Sequence, residues 1–111
     1  MRVLVVEDEM VLRGGVSAYL RSRGSETTEA ASLAEARQAL ARESFDVFVL
    51  DLGLPDGDGL SLFDEASASR TVVISARLDL PRVRAAGVRH HLAKPFDLAA
   101  LGKAVAEVAA S

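Results

Sequence analysis

The sequence contains no cysteine, which excludes disulfide frameworks, thiolate metal sites and thiol nucleophiles together. It has no excess of positive charge either. The formal net charge is −3 at pH 7, so no large basic patch is available to drive direct nucleic-acid binding. No apolar run approaches the ~20 residues of a membrane span, so no membrane partner is expected. The first apolar run, residues 3–6, is cut short by Glu7, Asp8 and Glu9 and does not read as a signal peptide, which makes the cytoplasm the expected location. No repeat, low-complexity tract or linker divides the chain. The balance of the composition is ordinary for a globular protein, with 50% of 111 residues apolar and 26% charged. That suffices for one domain, expected over residues 1–111, burying about two-thirds of its unfolded surface.

The most informative stretch is 45–59, Phe-Asp-Val-Phe-Val-Leu-Asp-Leu-Gly-Leu-Pro-Asp-Gly-Asp-Gly. Residues 47–50 form a short β-branched and aromatic run, too short for a helix, and predict a strand buried on both faces. Asp51 ends it. Gly53, Pro55, Gly57 and Gly59 interleaved with acids then predict a loop. A carboxylate at the carboxyl end of a central strand, followed by a loop, stands where open α/β sheets hold ligands.

The rest of the chain supplies the partners of that strand. Residues 3–6 predict a second buried strand, followed by an amphipathic helix over 10–23 with Leu12, Val16, Tyr19 and Leu20 inward and Gly24 beyond its end. Residues 26–30 predict a short polar edge strand supported only by Thr27 and Thr28. Ser32 with Glu35 is a capping-box pattern opening a helix over 33–42, with Leu33, Ala36 and Leu40 inward. Beyond the Asp51 loop come a short helix over 60–66 and a strand over 71–74 ending at Ser75. Pro81 then suits the first turn of a short helix over 82–86. A strand over 88–93 ends at Lys94-Pro95, and Asp97 can cap a last helix with Leu98, Leu101, Val105 and Val108 on its stripe. Strand and helix thus alternate five times, which predicts an α/β fold with a five-stranded parallel sheet, helices on both faces and right-handed crossovers.

Because the carboxyl ends of parallel strands share one edge, Glu7, Asp8, Asp51, Ser75 and Lys94 are expected to meet there. Three gathered carboxylates repel unless a cation balances them, and Mg²⁺ fits best because it takes oxygen ligands and keeps several waters. Carboxylates, a metal, a hydroxyl and a lysine together are the equipment of phosphoryl transfer, with Asp51 as the nucleophile that would carry an aspartyl phosphate.

Glu7-Asp8 after a β-run, Asp51 with Pro55 and Asp58-Gly59, Ser75-Ala76 and Lys94-Pro95-Phe96 together resemble the receiver domain of two-component response regulators, over essentially the whole chain. The resemblance implies a doubly wound, flavodoxin-like sheet of order 2-1-3-4-5 and a phosphoacceptor that catalyses its own phosphorylation and dephosphorylation without being an enzyme in the ordinary sense. It implies that Asp51 accepts phosphate from a sensor histidine kinase or phosphotransfer protein, and that Asp8, Asp51 and the carbonyl of Gly53 hold Mg²⁺ while Glu7 acts through a bound water. Ser75 and the Ala76 amide would contact phosphoryl oxygens, Lys94 would pair with one of them, and the bond before Pro95 would be cis. An output domain or a homodimer partner would read the switched surface. Two departures stand out. His91 occupies the place of the family's switch aromatic, and the spacings Asp51 to Ser75 and Ser75 to Lys94, 24 and 19 positions, are short for the family. The fourth helix, part of the usual output face, is therefore trimmed.

Taken singly, each residue has a plainer reading: Asp8 as a helix cap, Asp51 and Ser75 as turn residues, Lys94 as a solvated lysine. Their joint placement on one sheet edge is what those readings leave unexplained. The loop over 54–65 echoes a calcium loop, but Leu54 stands at the first ligand position and Pro55 follows it. His90 and His91 are adjacent in a strand and should point to opposite faces, against a shared metal. Arg82, Arg84 and Arg89 read as a solvated face. Two other functions compete with this one: a phosphorylation-independent receiver-like interaction module, and an aspartate-dependent phosphatase, which would want an acid where Gly53 stands.

Overall fold

The computed structural model describes residues 1–63, 65–77 and 79–111. Five strands, β1 (Arg2–Val6), β2 (Glu26–Ala30), β3 (Val47–Asp51), β4 (Thr71–Ser75) and β5 (His90–Ala93), form one sheet of order β2-β1-β3-β4-β5. Every neighbouring pair is parallel. This is the expected doubly wound architecture. The pleat divides the core in two. Val3, Val5, Val47, Val49, Val72 and Ile74 face α1 (Met10–Ser22) and α5 (Leu98–Ala110), which supply Val16, Leu20, Leu101, Val105 and Val108. Leu4, Val6, Phe48 and Leu50 face α2 (Leu33–Arg42), which supplies Leu33, Ala36 and Ala39. Each of these large side chains, fully buried, contributes roughly 1.5–3 kcal/mol, and the continuous apolar runs of β1, β3 and β4 are explained by burial on both faces.

The edge strand β2 has little apolar content, and side-chain hydrogen bonds hold it instead. Thr27 Oγ1 lies 2.5 Å from Ser17 Oγ on α1, and the Thr28 hydroxyl donates to Glu43 at 2.8 Å. Helix α1 stops at Ser22, and Gly24 follows with φ +96°, the left-handed turn that glycine allows. Its cap is Glu9, whose carboxylate accepts from the amides of Val11 and Leu12, so Asp8 is left without the capping role its position permitted. In α2 the third inward residue is Ala39, with Leu40 only partly buried against the same cluster.

The segment after Asp51 departs from the expected plain loop. Gly53–Leu54 and Gly57–Asp58 pair as a two-residue antiparallel ribbon around Pro55 and Asp56. The Asp56 carboxylate accepts from the amides of Leu33 and Ala34 at 2.8 and 3.0 Å, so this ribbon caps α2 from a distance while Ser32 caps the Glu35 amide. The helix expected over 60–66 is a 3-10 turn, Gly59–Leu62, followed by a single turn, α3 (Glu65–Ala68). Asp64, inside that expected helix, lies outside the described residues. Helix α4 (Leu80–Ala85) begins earlier than expected because Asp79 accepts from the Arg82 amide. Strand β5 begins later, at His90, because the Val88 amide is used to close α4 on the Val83 carbonyl. Asp97 stands at the N-cap of α5 but makes no side-chain bond to the helix amides, contrary to its expected part.

Candidate functional site

The register of the sheet builds the site. Val6 pairs with Leu50, so the next residues, Glu7 and Asp51, leave adjacent strands at the same level. Asp51 is still within β3, opposite Ile74, and Ser75 ends β4 opposite Ala93, with Lys94 following. The Lys94 amide donates to the Ser75 carbonyl at 2.9 Å, which extends the ladder one step and holds Lys94 over the edge. The Lys94–Pro95 bond is cis. Gly59 brings the loop back against β3 so closely that a Cβ there would sit 2.8 Å from the Asp51 carbonyl oxygen.

At this edge the Lys94 ammonium bridges two acids, 2.5 Å from Glu7 Oε1 and 3.2 Å from Asp51 Oδ2. The other oxygens are also held: Glu7 Oε2 accepts from the Glu9 amide at 3.0 Å, and Asp51 Oδ1 from the Gly53 amide at 3.1 Å. Glu7, Asp8 and Asp51 each offer a carboxylate oxygen within 4.8 Å of the others. Asp8 is exposed, whereas Glu7 and Asp51 are buried. Burial pushes the Glu7 carboxyl above its ordinary value, aided by the neighbouring acids Asp8 and Asp51 and opposed by the Glu9 amide and Lys94. Burial alone would lower Lys94, but its hydrogen bond to Glu7 and the charges of Asp51 and Glu7 outweigh it, and the ammonium is held above its ordinary range. Lys94 is therefore a fixed cation among carboxylates.

One ammonium does not balance three carboxylates. Two negative charges stay uncompensated on hard oxygen donors when all are ionised, and that donor set fits a divalent, oxygen-seeking ion such as Mg²⁺. Among the described residues no other group of acids and histidines gathers closely enough to hold a metal. The calcium-like echo is accounted for otherwise, because Asp56 caps α2 while Asp58 accepts from the Leu60 amide and pairs with Arg82.

Glu7, Asp8, Asp51 and Lys94 thus lie together at one edge, and Gly53 reaches it through its amide. Ser75 shares the edge and is buried, but its hydroxyl is turned into its own loop, donating to the Arg77 carbonyl at 3.0 Å and accepting from the Arg77 amide at 3.2 Å. Ala76 is exposed beside it. His91 is partly buried in β5, and its neighbour His90 reaches Glu107 of α5, with Nε2 3.4 Å from Oε2. Sequence reasoning missed Glu9 as the cap, Asp56 as the remote cap of α2, and Arg13, whose guanidinium bonds the carbonyls behind the acidic pair. Glutamate is not a favoured cap, and the roles of Asp56 and Arg13 depend on contacts that no local spacing encodes.

Comparison with known proteins agrees with the site. The family described as "Response regulator receiver domain" matches residues 3–106, and the chain belongs to it. It is similar to the transcriptional regulatory protein PhoP of Escherichia coli K12, 35% identical over an alignment of 105 residues that covers 88% of this chain and 47% of the relative. The KDP operon transcriptional regulatory protein KdpE of the same organism is 36% identical over 105 residues, covering 89% of this chain and 47% of that protein. The chain thus spans about half the length of these curated relatives. Among solved structures, the non-phosphorylated HemR receiver domain of Leptospira biflexa superposes with a TM-score of 0.84 at 27% identity, covering 99% of this chain and 94% of that one. The receiver domain of the Francisella response regulator 1452 shares the fold, with a TM-score of 0.86 at 24% identity over 98% and 96% of the two chains. The chain is a receiver domain of the response regulator type, a regulatory class. Family membership favours a phosphoacceptor function over the phosphorylation-independent module. No helix among the described residues is long and apolar enough to cross a membrane.

Proposed function

We propose that residues 1–111 act as one receiver domain in which Asp51 is the phosphoacceptor. The observation that carries this reading is the Lys94 ammonium lying between Glu7 and Asp51 at the carboxyl edge of the sheet. A carboxylate oxygen of Asp51 attacks the phosphorus of a partner's phosphohistidine. The new O–P bond forms as the N–P bond breaks, and the electron pair returns to the imidazole nitrogen. Lys94 leaves Asp51 to pair with a phosphoryl oxygen, and the Ser75 hydroxyl and Ala76 amide turn from their own loop to take others. Asp8, Asp51 and the Gly53 carbonyl would hold Mg²⁺, with Glu7 supporting them, and the ion would supply neutralisation of the phosphoryl oxygens. Hydrolysis reverses the state, with water attacking phosphorus and the Asp51 carboxylate leaving.

The phosphorylated form changes the surface made by α4, β5 and α5, with His91 moving as the switch side chain, and an output domain or a second copy reads it in the cytoplasm. Relatives about twice as long, named as transcriptional regulatory proteins, support a downstream output of that kind. Incubation with acetyl phosphate and Mg²⁺ should phosphorylate the parent protein and leave Asp51→Asn unlabelled. Equal labelling of both would refute Asp51 as the acceptor.

A further inference from the structure

We propose that Arg13 is a positioning residue for the acidic pair, clamping from behind the backbone that carries Glu7 and Asp8 and so setting the strength of Mg²⁺ binding. This inference rests on the metal-dependent reading of the site above. From the second turn of α1 the guanidinium reaches back over the loop, and Nη1 donates to the Glu7 carbonyl at 2.9 Å and reaches the Asp8 carbonyl at 3.4 Å. Its Nε donates to Glu29 on β2 at 3.2 Å. The Arg13 side chain is only 17% exposed, and its bond to the Glu7 carbonyl is the one most withdrawn from water.

The need for such a clamp follows from the topology. The Glu7 amide still joins the sheet, donating to the Ala30 carbonyl at 3.0 Å, but past it the chain turns into α1. Both the Glu7 and the Asp8 carbonyl lie within reach of Nη1, and a planar guanidinium with several fixed donors can hold both while remaining anchored elsewhere. Groups that hold metal ligands in place commonly change metal affinity 10- to 100-fold when removed.

Charge and position predict opposite signs. Arg13 is a cation near a cation site, so loss of its charge alone would tighten Mg²⁺ binding. Loss of the clamp would loosen it. Calorimetric Mg²⁺ titration of the unphosphorylated chain, with thermal midpoints measured in chelator, separates the two. We expect Arg13→Ala to bind Mg²⁺ about 10-fold more weakly, Arg13→Lys to recover part of the loss, and Glu29→Ala, which removes the anchor's acceptor but keeps the guanidinium, to fall between the parent and Arg13→Ala. These differences should persist among variants whose midpoints in chelator match the parent. An Arg13→Ala protein that binds Mg²⁺ as tightly as the parent, or more tightly, overturns the proposal. If Arg13→Ala does not fold, parental affinity in both Arg13→Lys and Glu29→Ala overturns it. A parent that binds no Mg²⁺ overturns the site reading along with it, whereas a parent that binds Mg²⁺ and labels on Asp51 beside an unaffected Arg13→Ala overturns the clamp alone.

Discussion

Glu7 and Asp56 are both acids held by backbone amides, yet their environments drive them in opposite directions. Glu7 is wholly buried, and the penalty on its charged form exceeds the help from the Glu9 amide and Lys94, so folding raises it above the ordinary 4.5. Its contribution to stability is whole below that value and is lost as the pH rises through the folded value. Asp56 is lowered from 3.8, chiefly by the amides of Leu33 and Ala34, so its contribution is present above that value and is lost as the pH falls through the folded one. In metal-free buffer, the stability of the parent relative to Glu7→Gln should therefore decline as the pH rises above 4.5, while that of the parent relative to Asp56→Asn should grow as the pH rises toward 3.8 from below. Urea denaturation at each pH reads both slopes, and slopes of the same sign would show that one assignment is wrong. The ordinary carboxylates of a sequence give no hint of this contrast, because burial and amide partners arise only in the fold.

Among the elements, α1 contains an avoidable weakness and α2 a dependence on a distant segment. A Cβ added at Gly14 or Gly15 would meet nothing within 4 Å, and Gly15 is exposed, so neither packing nor a turn requires glycine there. Gly15→Ala should stabilise the protein by about 0.5–1 kcal/mol through helix propensity, measured as a higher midpoint in urea. Asp56→Ala should lower the thermal midpoint although it lies outside every helix, since two α2 amides lose their acceptor. The apolar runs of β1, β3 and β4 were readable because two-sided burial leaves an unbroken signature. The β2 strand was readable only from its threonines, as it depends on Ser17 and Glu43 from other segments. The ribbon at Gly53–Leu54 was not readable, since each arm is only two residues long and its place is set by docking on α2.

Over the whole molecule, the site and α4 are joined by polar ties. Ser75 is engaged with the turn at Arg77, and Arg82 in α4 pairs with Asp58 in the loop that follows the acceptor. Drawing Ser75 toward a phosphoryl group, as proposed, would break its bonds to Arg77, a local rearrangement with a distant readout. Beryllofluoride with Mg²⁺ should change amide hydrogen exchange across residues 75–93 more than in α1 or α2. Uniform exchange with and without the ligand would show that the edge and α4 are not coupled.

The order of apolar runs, helical stripes and loop residues was sufficient by itself to specify a parallel α/β sheet and to nominate Glu7, Asp8, Asp51, Ser75 and Lys94, because strand polarity places all carboxyl ends together whatever the details of packing. Only the tertiary structure decided which of them touch, that Lys94 lies between Glu7 and Asp51 while Ser75 turns away, that Glu9 and Asp56 cap α1 and α2, and that Arg13 bonds the Glu7 carbonyl. Those outcomes depend on side-chain rotamers and on contacts between residues far apart in the chain, and neither leaves a period or a spacing to be read.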